Sequence, residues 1–234
     1  MNETNTTQEI KQDLISLFRQ NTGLLETGSG HILNMYREQA FHDFDRLGIP
    51  TTRNEAYKYT PLEKYLNGNY DVELNANPFK VDLRAIFKCD IPDLDTHVVL
   101  VLNGFYHSAN HPGDFPKGVI ICGLNEASSR YPEIFHEHYS RYADTSADGL
   151  VALNTLFAQD GVFIYIPRNT AIEKPIQIIN LSHSDKNLRL TRRNLIVAEE
   201  NAKVDIVLCD HTLSNHGYLA NSLTEIFAGK NAVV

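Results

Sequence analysis

From Gly161 onward the chain reads as a succession of short β runs, VFIYI, PIQIINL, NLIVAE, VDIVLC and SLTEIF, separated by turn-forming Asn, Asp, Gly and Lys. Helical periodicity disappears there. Within this stretch a small pattern recurs as Asn169-Thr-Ala-Ile, Asn201-Ala-Lys-Val and Asn231-Ala-Val-Val, at steps of 32 and 30 residues. A period of that length suits a β-solenoid, whose coils cannot bury their apolar faces singly and stack them on one another. The expectation is therefore the opening coils of a right-handed β-helix over residues 150–234. Solenoids need several repeats and polar caps, yet the sequence stops at Ala-Val-Val in what should be a strand. The domain is expected to be cut short, with self-association through its uncapped end.

Residues 1–149 have a different character and predict a helical, α+β region. Thr6 and Glu9 have the spacing of a capping box, and Ile10, Leu14, Leu17 and Phe18 follow at helical period, predicting a first helix that ends near residues 21–23. A second helix should carry Leu33, Tyr36, Ala40, Phe41, Phe44 and Leu47 on one face and stop at Gly48 and Pro50. Residues 49–66 mix charge and aromatics, with a short helix expected from Pro61. VVLVL before Asn103-Gly104 predicts a hairpin with a type I′ turn, because both central residues must take positive φ. A strand at residues 119–122, a helical stretch at 124–142 interrupted by Pro132, and a helix at 150–159 complete the reading.

With 234 residues the chain can bury a core without metal or disulfide staples. Its 21 basic and 29 acidic residues leave a net charge of −8, which argues against a general nucleic-acid surface. The three cysteines, Cys89, Cys122 and Cys209, are widely spaced with no CxxC pair, which suits a reducing compartment. No secretory signal or membrane span is readable, so a cytoplasmic protein is expected. The N-x-S/T triplets at Asn2, Asn5 and Asn180 are accordingly read as accidents.

Few side-chain groupings suggest chemistry. Cys209, Asp210 and His211 are all competent iron or zinc ligands, but neighbours on a strand point to opposite faces, leaving Cys209 and His211 as weak metal candidates. His107 and His111 have i, i+4 spacing, although the intervening residues read as a loop, and His136 and His138 read as solvent-facing on a helix. Cys122 reads as a core thiol. Lys186, Arg189, Arg192 and Arg193 read as cations guarding a solvated strand edge, with an acidic partner or phosphate as the alternative. There is no P-loop motif and no fingerprint for flavin, so any ATPase activity would belong to a partner.

Two longer segments carry a family resemblance. Gly48-Ile-Pro-Thr-Thr-Arg-Asn-Glu-Ala-Tyr-Lys-Tyr-Thr60 resembles the G-x-P-T-x-x-x-E-x-W/Y-K-Y-T element of the SufB/SufD family, with Tyr57 where many members have Trp. NTLFAQDGVFIYIPRNTAIEKPIQIINL, starting at Asn154, resembles the entry of that family into its β-helix, and a weaker match follows through residues 193–202 and 224–226. The likeness runs from about residue 40 onward. It favours the SufD branch, since the cysteine-bearing E-G-C-T element of the SufB branch is absent after residues 204–207. The resemblance implies a non-catalytic scaffold in cytosolic iron–sulfur cluster assembly. Such a scaffold pairs with SufB, recruits the SufC ATPase through a region absent here, and meets sulfur-donor proteins. It implies an iron–sulfur cluster only transiently, in the full complex. A β-helix polysaccharide lyase is the alternative from another class, for which a signal peptide and a dense carboxylate cluster would be expected.

Overall fold

A computed structural model describes residues 3–75, 95–107 and 114–234. The architecture is mixed α/β, with helices packed against two sheets that the chain visits in turn.

Helix α1 (Glu3–Thr27) runs through both the Thr6/Glu9 pair and the expected stop. The polar residues that normally end a helix bond back into it instead: Asn21 donates to the Leu17 carbonyl, Thr22 to that of Phe18 and Thr27 to that of Gly23. Burial of Leu25 in the core rewards the extra turn. The second predicted helix is broken at Tyr36 into α2 (His31–Met35) and α3 (Arg37–Leu47), and Gly48 ends it with φ of 67° as expected. A 3₁₀ turn (Glu55–Tyr57) and α4 (Glu63–Leu66) follow. Two short helices, α5 (Leu124–Arg130) and α6 (Pro132–His138), abut at Pro132, which occupies a first-turn position where its missing N–H costs nothing. Helix α7 (Gly149–Phe157) is almost wholly buried, with Asp148 accepting from the N–H groups of Leu150 and Val151 as its N-cap.

Strand β1 (Asp71–Val72) is an edge piece. Strands β2 (His97–Leu102) and β3 (Phe105–Tyr106) form the expected hairpin, with φ of 50° at Asn103 and 92° at Gly104. A Cβ on Gly104 would lie 2.4 Å from the Thr191 carbonyl oxygen, so this position takes glycine for space as well as for φ. Strands β4 (Ile120–Gly123), β5 (Val162–Ile166), β6 (Ile176–Ser182), β7 (Leu188–Ala198), β8 (Ile206–Thr212) and β9 (Tyr218–Ala228) follow. One sheet has the order β1-β7-β5-β4 with β9 also on β7; the other has β3-β2-β6-β8. The chain thus alternates between sheets from β5 to β9, and each return pairs in parallel. Val162 stands opposite Asn194 and Asn194 opposite Thr224, while Ile176 stands opposite Ile206. These offsets are the 32- and 30-residue steps of the sequence pattern.

The recurring asparagines mark one corner of this path. Asn169, Asn201 and Asn231 have φ of 57°, 58° and 59°, the left-handed conformation that asparagine tolerates better than other side chains. They stack: Asn201 donates to the Asn169 side-chain oxygen at 2.8 Å and Asn231 to that of Asn201 at 3.1 Å. Between the sheets lies an apolar interior of Val162, Ile164, Ile176, Ile178, Ile196 and their neighbours. The helices build a second core, in which Phe18, Phe44, Leu153 and Leu156 pack together.

Candidate functional site

The chemistry-bearing side chains divide according to which face of a strand carries them. On β8, Cys209 and His211 share the outer face, opposite Ile179 and Leu181 of β6, whereas Asp210 points between the sheets. The Cys209 thiol is half-buried and accepts from the Gln177 amide at 3.2 Å. Asp210 accepts from Arg192 at 2.6 Å. The three consecutive ligand types are therefore split, as strand geometry requires. Among the described residues no group of three or more His, Cys, Asp or Glu stands close enough to hold a metal ion. Cys89 and His111 lie outside the described residues, so the His107/His111 pairing has no structural test.

Two members of the basic group, Arg192 and Arg193, do not lie on a solvated edge. Arg192 and Arg193 are 3% and 0% exposed and leave β7 on opposite faces. Arg192 turns inward, where it bonds Asp210 and the Ser182 hydroxyl and lies 5.4 Å from the Tyr218 ring centre. Arg193 turns toward the helices and forms an ion pair with Glu225 of β9. It also donates to the Asn154 and Thr155 side chains at 3.2 and 2.9 Å and sits 4.9 Å from the ring centre of Tyr139. Glu225 in turn accepts from the backbone N–H groups of Ser140, Tyr142 and Ala143. One carboxylate thus ties the segment after α6 to the strand stack. The strand-edge reading holds for Lys186, which pairs in solvent with Asp71, and fails for Arg192 and Arg193, whose carboxylate partners on β8 and β9 lie far away in sequence.

Asn154 completes this hub. While its oxygen accepts from Arg193, its amide donates to the backbone carbonyls of Arg192 and Asn221 at 3.0 and 2.9 Å, and Asn221 returns a bond to the Leu150 carbonyl. Sequence reasoning missed Asn154, Arg193 and Glu225 as a unit. The available signal was parity: Arg193 and Glu225 both fall on the odd positions that face the helices, 32 residues apart and so about one repeat distant.

A third buried arginine, Arg37, is 4% exposed and meets the C-terminal end of α7, donating to the carbonyls of Leu156 and Ala158 and to the Ser29 hydroxyl. A cation at a helix C-terminus satisfies both its orphan carbonyls and its dipole, although burial draws the Arg37 pKa down to about 10.

Asp160 closes the junction between the hairpin and β5. Its carboxylate accepts from the backbone N–H of Tyr106 at 3.0 Å and of Asn125 at 3.1 Å. Burial outweighs these bonds and raises its pKa to about 6. Gly161 beside it has φ of 147°, and a Cβ there would lie 1.7 Å from the Arg193 carbonyl oxygen. The Asp-Gly pair thus lets β5 pass tightly under β7. Cys122 is a core thiol, 5% exposed, with its pKa pushed to about 12 by burial. His136 is solvent-exposed as expected; His138 is instead buried, within 2.6 Å of the Tyr142 hydroxyl and packed on Phe227, and burial lowers its pKa.

The buried charged groups are engaged internally: Arg193 with Glu225, Arg37 with backbone carbonyls and Asp160 with backbone N–H groups. Apolar surface is open at the far end of the strand stack, where Leu208, Ile226, Val233 and Val234 are 42–54% exposed. Among the described residues no helix is long and apolar enough to cross a membrane.

Comparison with known proteins bears on this geometry. A family model described as the SufBD protein N-terminal region matches residues 8–178. An iron–sulfur cluster assembly SufBD family protein of Staphylococcus saprophyticus is 24% identical over 238 residues, covering 94% of this chain and 51% of the relative. A protein of the same description from Synechocystis is 24% identical over 239 residues, 97% of this chain and 51% of its own length. A third from Arabidopsis thaliana is 30% identical over 118 residues, half of this chain and 25% of the relative. The chain spans about half the length of the bacterial relatives it matches.

Proposed function

The chain belongs to the SufBD family, and from that premise we propose that it serves as a non-catalytic scaffold in iron–sulfur cluster assembly, of the SufD type. The observation that carries this reading is the family match across residues 8–178, which spans the helical region and extends into β6, together with the parallel return of the chain at 30–32 residues. In this reading residues 150–234 form the first coils of a right-handed β-helix core, and residues 1–149 form the α+β region ahead of it. The core pairs with SufB, and SufC is recruited by sequence outside this chain. The cluster is cargo, held transiently by the assembled complex, and the complex works in the cytoplasm. The polysaccharide-lyase alternative has no observation in its favour.

Sulfur-donor proteins are proposed to dock on the helical side. Leu24 and Met35, 48% and 52% exposed, supply apolar contact there. Because Phe18 and Phe44 are core residues, removal of α1–α3 would unfold the region, so Leu24→Glu with Met35→Glu is the cleaner test. Unchanged sulfur transfer in that variant would dismiss this part.

The scaffold reading itself is tested by co-purification of this chain, and of the longest natural form that contains it, with SufB and SufC. Capture of both by the longer form, and of SufB alone or neither by this chain, is the expected result. Failure of both forms to capture either protein would remove the reading.

A further inference from the structure

The segment between α3 and α4 leaves a surface that nothing in the scaffold reading uses. Its 3₁₀ turn is held by the Tyr57 hydroxyl, which donates to the Asp148 carboxylate at 2.7 Å, and by the Asn54 side chain, which accepts from the Thr51 N–H at 2.9 Å. Tyr57 is thereby spent on anchoring, and burial, together with the carboxylate beside it, raises its pKa. Two residues on, Tyr59 is 88% exposed, and Tyr65 in α4 is 59% exposed. Exposed tyrosines of this degree on an anchored backbone present apolar area at little entropic cost on binding.

Residues 53–65 carry three cations against two carboxylates. Arg53, Lys58 and Lys64 are exposed, and none is paired with a carboxylate among the described residues; Lys58 lies over the Tyr59 ring, 5.6 Å from its centre. Of the two carboxylates in the segment, Glu63 buries its Oε2, leaving Glu55 as the exposed one. On a chain of net charge −8, this segment, with three cations interleaved with two exposed tyrosines, is locally positive by one charge, three cations less two carboxylates. We propose that residues 53–65 dock a carboxylate-rich segment of a partner protein, with Arg53, Lys58 and Lys64 meeting its acidic side chains and Tyr59 and Tyr65 packing on its backbone and aliphatic atoms.

This inference does not rest on the scaffold reading, since it needs only the exposure and charge of this segment. The test is fluorescence anisotropy of a labelled oligo-glutamate peptide titrated with the whole chain. The wild type is expected to bind, with affinity falling as salt is added. Lys58→Glu with Lys64→Glu should weaken binding by about tenfold or more, and Tyr59→Ala should weaken it by a few fold even when salt screens the charges. Lys230→Glu, a charge change at an exposed lysine in the last turn of the chain, should leave binding unchanged. Lys58→Gln with Lys64→Gln, checked by circular dichroism, serves if the charge reversal perturbs folding. The inference is overturned by absence of wild-type binding, by wild-type affinity in both Lys58/Lys64 variants, or by equal weakening in Lys230→Glu. Tighter binding of an oligo-uridylate with the same variant sensitivity would assign the patch to nucleic acid and overturn it too.

Discussion

Strands β6 and β8 are successive visits of the chain to one sheet, paired residue for residue, yet they live in different solvents. Every residue of β6 is buried, and Ile178 is fully so; its partner Leu208 on β8 is 52% exposed. The same contrast separates Ile196 on β7, 1% exposed, from Ile226 on β9, 47% exposed. Sequence character does not explain it, since all four are large aliphatics at equivalent register. Burial in a stack comes from the strand on either side, so an apolar residue is a core residue only where both neighbours are present.

The largest test of this contrast lies at the buried polar hub that joins β7 to the outer strand β9. Glu225→Ala leaves Arg193 buried without its charge partner and should cost about 3–5 kcal/mol, read as a lowered urea midpoint. Replacing the pair together by Arg193→Met and Glu225→Leu should recover most of that loss. If Glu225→Ala is instead nearly neutral, β9 is not cooperatively joined to the rest. Next comes the paired aliphatic comparison: Ile178→Ala should cost about 2–5 kcal/mol, whereas Leu208→Ala should cost well under about 1 kcal/mol. Equal costs would mean that the open end is covered in solution.

Asp160 sharpens the comparison at the buried end through pH. Its folded-state pKa, about 6, lies above its ordinary value of 3.8, so folding favours the protonated acid. The stability it contributes is fully present below about pH 4 and is lost as pH rises through about 6, by an amount on the order of 2–3 kcal/mol. Asp160→Asn should flatten the dependence of the thermal midpoint on pH across that window; an unchanged slope would show that other groups cause it. A smaller effect than that of Asp160 is expected at the corner, where Asn201→Ala should cost about 1 kcal/mol by forcing a left-handed φ on alanine and cutting the side-chain stack, while Asn201→Gly should cost less. Equal effects would assign the loss to the side-chain bonds alone.

Much of this fold was legible locally. The Asn103-Gly104 turn, the β runs after Gly161 and the Asn169, Asn201 and Asn231 repeat each name a conformation that few other residues tolerate, and the structure has all of them. The stop at Gly48 and the break at Pro132 belong to the same class. Local signals failed where a distant partner overrode them. Asn21 and Thr22 read as a helix end, but burial of Leu25 carried α1 onward. Arg192 and Arg193 read as surface cations, but Asp210 and Glu225 draw them inside. His138 read as exposed until α6 met Phe227.

By itself, then, the sequence determined the alternation of short strands, the corner conformations and the family, because backbone preference and residue order are properties of the chain alone. Only the tertiary structure decided which charges are buried and which apolar residues are open. A side chain's solvent is set by segments 30 or more residues away that pack on it, and no local pattern encodes whether that packing is present on one side or on both.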